Sequence, residues 1–176
     1  KGKTSGIANH TGTDVSNNTA TVATKMNDKN GKFITETEYT MECANNSVSV
    51  DFKSLASGDI LNQYKDMDIT MTGTNLNIPN TLSVGQKLPD AALNMVIEIT
   101  PIKMKSFINI VDRKVIGNET ITTPAGTFEC VVLTTKTEMK MGIKKSITSK
   151  QWLAEGVGMV KSEEYNKKGK RISYSE

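Results

Sequence analysis

The stretch Thr127-Phe128-Glu129-Cys130-Val131-Val132-Leu133-Thr134-Thr135-Lys136-Thr137-Glu138-Met139 decides the fold. It is rich in β-branched residues and alternates with a period of two, the pattern of an extended strand rather than a helix. Phe128, Cys130 and Val132 fall on one side and Val131 and Leu133 on the other, so both faces are apolar. Such a strand sits in the middle of a sheet, covered from above and below. Ala125-Gly126 before it and Gly142 after it are turn signals. Beyond Gly142 the pattern predicts strands over Ile143–Ala154, Met159–Tyr165 and Lys170–Tyr174, joined through Gly156–Gly158 and Asn166–Gly169.

Upstream the same period recurs. In Phe33–Cys43 the residues Phe33, Thr35, Thr37, Tyr39, Met41 and Cys43 share one face, and Glu36, Glu38 and Glu42 share the other. Asn45-Asn46 is a hairpin signal that leads into Val48, Val50 and Phe52. Leu55, Ile60, Leu61 and Tyr64 have helical spacing, which predicts a short helix over Ser54–Tyr64 with Ser54 as its N-cap. Met67, Ile69 and Met71 resume the alternation, and Gly73–Asp90, with two of the four prolines, reads as a loop. Leu93, Met95, Ile97 and Ile99 form a further strand, and Ile102–Val115 runs back beside it. The in-out phase of that last strand changes between Ile110 and Val111, which predicts a β-bulge. The expected class is mainly β, an antiparallel meander forming a curved sheet or half-open β-barrel with a short helix.

A chain of 176 residues, 36% apolar and 23% charged, fits a single globular domain. A domain of this size buries roughly 70% of the surface its unfolded chain exposes, so it needs neither metal nor dense disulfides to fold. Residues 1–20 are rich in Gly, Thr, Asn and Ser, a composition too polar to repay ordering, and are expected to be a disordered polar leader or tether. The domain is then expected over residues 21–176. No run approaches the roughly 20 apolar residues of a membrane-spanning helix.

The net charge of +3 is unevenly placed. Residues 140–176 hold nine Lys/Arg against four Asp/Glu, leaving thirteen against fifteen for the rest of the chain. Arg113 and Arg171 are the only arginines, whereas bidentate reading of bases and phosphates favours arginine, so nucleic acid is not an expected partner. The lysine-rich end reads either as a solvated edge that resists aggregation or as a surface for an acidic partner or anionic head groups.

Little catalytic chemistry is available. The sole histidine, His10, lies in the polar leader, which leaves the common nucleophile–histidine arrangements without a base. One histidine and two distant cysteines do not supply a tetrahedral zinc set, no phosphate loop is present, and no cofactor is implied. Cys43 and Cys130 are either a disulfide pair or two buried thiols; a bridge would close a loop of about 88 residues and stabilise by roughly 4 to 5 kcal/mol. The nearest carboxylate pairs are Glu36 with Glu38, Asp66 with Asp68 and Glu163 with Glu164, and all read as solvated acids on outward faces. The nine methionines are more informative, because thioethers suit surfaces that accept variable apolar shapes. Met67, Ile69, Met71, Leu93, Met95, Ile97 and Trp152 are the candidate walls of an apolar cavity able to take an acyl chain, with ordinary core packing as the plain alternative.

From Leu82 onward the order of motifs resembles a bacterial family of exported lipoproteins of unestablished function with a TapB-like domain. The residues that carry the resemblance are Val84-Gly85-Gln86-Lys87-Leu88-Pro89-Asp90-Ala91, Asp112-Arg113-Lys114-Val115, Thr122–Cys130, Trp152–Lys161 and the Glu164-Tyr165 to Gly169-Lys170 turn. The resemblance implies a curved antiparallel sheet similar to the LolA and LppX lipoprotein carriers, and no catalytic residues. It also implies an exported protein of a Gram-negative bacterium, periplasmic or lipid-anchored at the outer membrane, with a membrane tether in its full-length form. The functional expectation is a non-enzymatic envelope domain that binds a lipid or an envelope protein. The alternative is an interaction module that uses its lysine-rich C-terminal segment.

Overall fold

The structure, a computed structural model, describes residues 6–56, 67–99 and 101–176. Its strands are β1 (Gly6–Ser16), β2 (Thr19–Asp28), β3 (Phe33–Ala44), β4 (Ser47–Val50), β5 (Asp68–Thr74), β6 (Leu76–Pro79), β7 (Ala91–Ile99), β8 (Ile102–Thr123), β9 (Gly126–Met141), β10 (Ile143–Ala154), β11 (Gly158–Tyr165) and β12 (Arg171–Ser175). They form a five-stranded sheet in the order β1-β2-β3-β4-β6 and a seven-stranded one in the order β12-β11-β10-β9-β8-β7-β5. The fold is mainly β, and neither sheet closes on itself into a barrel.

The chain divides into two compact units, Lys1–Ile78 with Leu93–Lys105, and Pro79–Ala92 with Ser106–Glu176. The segment expected to be a disordered polar leader is, from Gly6 on, a strand: β1 pairs with β2 from Gly6↔Asp28 to Ser16↔Thr19. The turn between them is Asn17-Asn18, both at positive φ (45° and 73°), the conformation a two-residue hairpin requires. Every residue of β1 is exposed, so this strand is held by its ladder and its turn rather than by burial. Asn45-Asn46 (φ 52° and 58°) repeats the device between β3 and β4, as its sequence predicts.

Elsewhere in the first unit, a 3-10 turn at Phe52–Leu55 follows β4. Asp51, not Ser54, is its N-cap: Asp51 Oδ1 accepts from Lys53 N at 2.7 Å, and Ser54 Oγ donates back to Asp51 O at 2.6 Å. The rest of the helix expected over Ser54–Tyr64 lies outside the described residues. In β7 the alternation is complete, with Leu93, Met95 and Ile97 all at most 1% exposed and Asn94 and Glu98 in solvent.

In the second unit β9 lies between β8 and β10, as its two apolar faces require. Cys130 and Val132 pack with Trp152 and Ala154 on one side, together with Ile121, Phe128 and Val160. Leu133 packs with Val115 and Leu88 on the other, together with Leu82, Val131 and Leu153.

The predicted bulge in β8 lies two residues further on. Val111 faces Lys136 and Lys114 faces Thr134, so Asp112 and Arg113 oppose one residue, and Asp112 takes a positive φ of 53°. A second bulge follows between Val115 and Gly117. The segment between the bulges is bound by the expected loop: Gly85 N donates to Val115 O, Val115 N to Gln86 O and Leu88 N to Arg113 O, at 2.8–3.0 Å. Two motifs far apart in sequence, Val84–Asp90 and Asp112–Val115, thus form one unit of structure, and Arg113 Nη1 completes it by donating to Pro89 O. Burial lowers the pKa of the Arg113 guanidinium, while the nearby Asp90 works against that shift.

Candidate functional site

The face of the second unit that carries Cys130 and Val132 is built by register. Trp152 faces Val132 on one side and Lys161 on the other, and Lys150 faces Thr134 and Glu163. Glu119 faces Cys130 across the β8–β9 ladder. Strand pairing therefore gathers Glu119, Lys150, Trp152, Lys161 and Glu163 from three strands, β8, β10 and β11, onto one surface.

Trp152, the single indole, is 3% exposed. Its Nε1–H donates to Glu119 Oε2 at 2.8 Å, and Lys150 Nζ donates to Glu119 Oε1 at 2.9 Å. The ammonium groups of Lys150 and Lys161 lie 4.5 and 4.6 Å from its ring centroid. Both charged ends thus stand over the ring, where its negative π face attracts them. The bonds from Lys150 and Trp152 hold the Glu119 carboxyl below its ordinary pKa.

Glu163 is the second centre. It was expected to be a solvated acid, but it is buried and accepts from Tyr165 Oη, Arg171 Nη1 at 2.8 Å and Lys161 Nζ at 3.3 Å. Burial works against its charged form, yet these three donors prevail and keep its carboxyl below the ordinary range. The bond to Glu163, with burial, raises the Tyr165 hydroxyl. Glu163 is occupied by donors on every side, an arrangement that orders the sheet edge rather than one that moves a proton.

The predicted cavity walls are dispersed. Leu93, Met95 and Ile97 are enclosed in the first unit, Trp152 is enclosed in the second, Ile69 and Met71 are half-buried, and Met67 is exposed. A described groove of about 680 Å³ in the first unit is lined by Glu36, Glu38, Tyr39, Asp51 and Lys53 among others and presents polar and apolar surface about equally. Among the described residues no three His, Cys, Asp or Glu side chains could hold a metal ion, and the His10 ring meets the Thr24 hydroxyl at 2.8 Å.

Cys43 and Cys130 are free thiols, Cys43 exposed on β3 and Cys130 buried beside Trp152. The disulfide reading is therefore absent from this structure, and the reading as two buried thiols holds for Cys130 alone. Burial, then the charge of Glu119, pushes the Cys130 thiol up, which slows reaction through the thiolate. A thiol reagent added to the folded, unreduced protein is expected to modify Cys43 quickly and Cys130 only on unfolding. Two thiols that react only after reduction would mean a bridge.

The last feature is the end of the sheet where β9 meets β10 and β11 meets β12. Lys140 lies directly opposite Lys144, Lys145 follows, and Ile143 at the apex is 74% exposed. The β11–β12 turn brings Lys167, Lys168 and Lys170, with Asn166 Oδ1 accepting from Lys168 N and Lys170 N at 2.9 and 3.1 Å. The nearest acid, Glu138, is already bound to Lys136 at 2.5 Å. Composition revealed the lysines, but only register shows that two separate turns place them at one end.

No curated protein matches this sequence. Two solved structures share the fold over 97% of this chain and 85% of their own, each with a TM-score of 0.72. One is a "putative exported protein with YmcC-like fold" from Bacteroides fragilis, 22% identical, and the other a "putative lipoprotein" from Parabacteroides distasonis, 19% identical. The family model described as DUF3108-like matches residues 1–176, and the chain therefore belongs to the DUF3108-like family.

Proposed function

We propose that this chain is a non-enzymatic, exported domain of the bacterial cell envelope, lipid-tethered in its full-length form, that works by contact through its lysine-rich end with an anionic partner. The observation that carries this reading is the cross-strand pair Lys140–Lys144 flanked by Lys145, Lys167, Lys168 and Lys170. Like charges placed directly opposite each other destabilise a hairpin, and an anionic partner removes that cost. Export and the tether draw support from the names of the two structural neighbours and from the lipoprotein-like motif order. The acyl-chain reading, and with it a carrier role like that of LolA or LppX, draws less support. Its expected walls are packed inside the protein or scattered, and the described groove is lined by none of them.

Co-sedimentation with envelope fragments of a Gram-negative cell tests the contact. Raising salt from ~0.1 M to ~1 M shortens the screening length from about 10 Å to about 3 Å and should release most of the bound protein. The triple variant Lys144→Glu, Lys145→Glu, Lys168→Glu should fail to bind at either salt. Binding that ignores both salt and charge reversal would overturn the proposal.

A further inference from the structure

We infer that the β9–β10 hairpin end docks on an anionic phospholipid bilayer, with Ile143 entering the head-group layer and the surrounding lysines pairing with lipid phosphates. This inference rests on the contact reading above and names its partner.

The placement of Ile143 is the distinguishing observation. It stands at the apex of a tight turn, next to Gly142 at φ +77°, where it is out of reach of either core cluster of this unit. An apolar side chain on a charged tip gains nothing from a purely polar anion, such as free phosphate or an acidic peptide backbone. It gains from a partner that offers phosphates at its surface and hydrocarbon just beneath, the chemistry that interfacial anchors use. The lysines fit the same partner: they are strongly hydrated point charges suited to a diffuse anionic plane, and the one arginine beside them, Arg171, is held by Glu163. Glu138, bound to Lys136, also lies within electrostatic reach of Lys144 and Lys167, and its single charge offsets only part of that of Lys140, Lys144, Lys145, Lys167, Lys168 and Lys170.

The other end of the same unit supplies an internal comparison. At the β10–β11 turn Val157 is 61% exposed, but the one charged residue of that turn is Glu155, two positions before it, and the turn holds no lysine. An exposed apolar residue alone does not make a docking tip, so Val157 should contribute nothing.

Flotation with vesicles of phosphatidylcholine, with and without phosphatidylglycerol, tests the inference, with inorganic phosphate at matched ionic strength as a separate arm. Wild-type protein should float only with the phosphatidylglycerol vesicles and should not be displaced by phosphate beyond the effect of its ionic strength. Ile143→Ser should weaken flotation roughly tenfold, each of Lys144→Glu and Lys145→Glu by at least about fivefold, and Val157→Ser not at all. Ile143→Leu should retain wild-type binding. Flotation unchanged by Ile143→Ser while charge reversal still abolishes envelope binding would overturn the membrane inference and leave the contact reading standing. Flotation and envelope binding both indifferent to charge reversal would overturn both, and specific displacement by inorganic phosphate would mean an anion site instead of a bilayer.

Discussion

Trp152→Ala should lower the unfolding free energy by about 3–5 kcal/mol, the range for removing a large aromatic side chain from a packed core. The ring is the hub of its cluster, with Cys130, Val132 and Ala154 and flanked by Lys150 and Lys161, and these apolar neighbours are too short to fill the cavity it would leave. Trp152→Phe separates the contributions, because it keeps most of the packing and deletes only the indole bond to Glu119; its cost should be about 1.5–3 kcal/mol, the range for bonds to charged groups. Urea unfolding followed by far-ultraviolet circular dichroism measures both, since the alanine variant lacks the only tryptophan. A loss below about 1 kcal/mol for Trp152→Ala would mean that the ring lines an open pocket rather than fills a core.

Glu163→Gln should cost about 2 kcal/mol near neutral pH. Breaking a fully buried ion pair from one side costs about 3–5 kcal/mol, and the lower figure applies because Arg171 is half in water and escapes part of the penalty. Its pH dependence is the sharper signature. The folded-state pKa of Glu163 lies below its ordinary value, so its contribution is complete above the unfolded pKa and is lost as pH falls through the folded one. The stability gap between wild type and Glu163→Gln should therefore stay level from about pH 7 to about pH 5 and then shrink on further acidification. Denaturant midpoints across that window measure it, and a gap that widens in acid would refute the assignment.

Much of this architecture is legible in the residues themselves. The two-faced apolar pattern of Phe128–Leu133 places β9 in the middle of its sheet, and Asn45-Asn46 marks its hairpin. The strand β1 is not legible in this way, because an alternation of buried and exposed residues is absent where every residue is exposed. Its one sign is Asn17-Asn18, the same dipeptide that turns the chain at Asn45-Asn46. In β8 the sequence shows the parity change of the apolar residues but not its seat, since the displaced residues are Asp112 and a buried arginine, neither of which belongs to an apolar count.

The candidate site was less legible for a different reason. Alternation identifies Leu93, Met95 and Ile97 as a face but is the same for a face that meets a ligand and one that meets protein. The partners of Trp152 come from register: Glu119 lies 33 residues away and Lys161 on the next strand, and no local pattern joins them. Glu163 reads as a solvated acid because the side chains around it, Tyr165, Lys161 and Arg171, are all polar or charged.

The paired bulges of β8 impose an arithmetic on the gene. Phe107, Asn109 and Val111 face the same side as Gly117, Glu119 and Ile121, because the second extra residue undoes the inversion made by the first. Only the few residues between them are turned over, which is how Val115 comes to face Leu88 and Leu133. A single-codon insertion or deletion between Val111 and Gly117 would exchange the two faces of everything on one side of it. Losing both extra residues would leave the faces intact and remove only the seat of Gly85–Leu88. Length variation in this strand among chains of the same fold should accordingly come in twos.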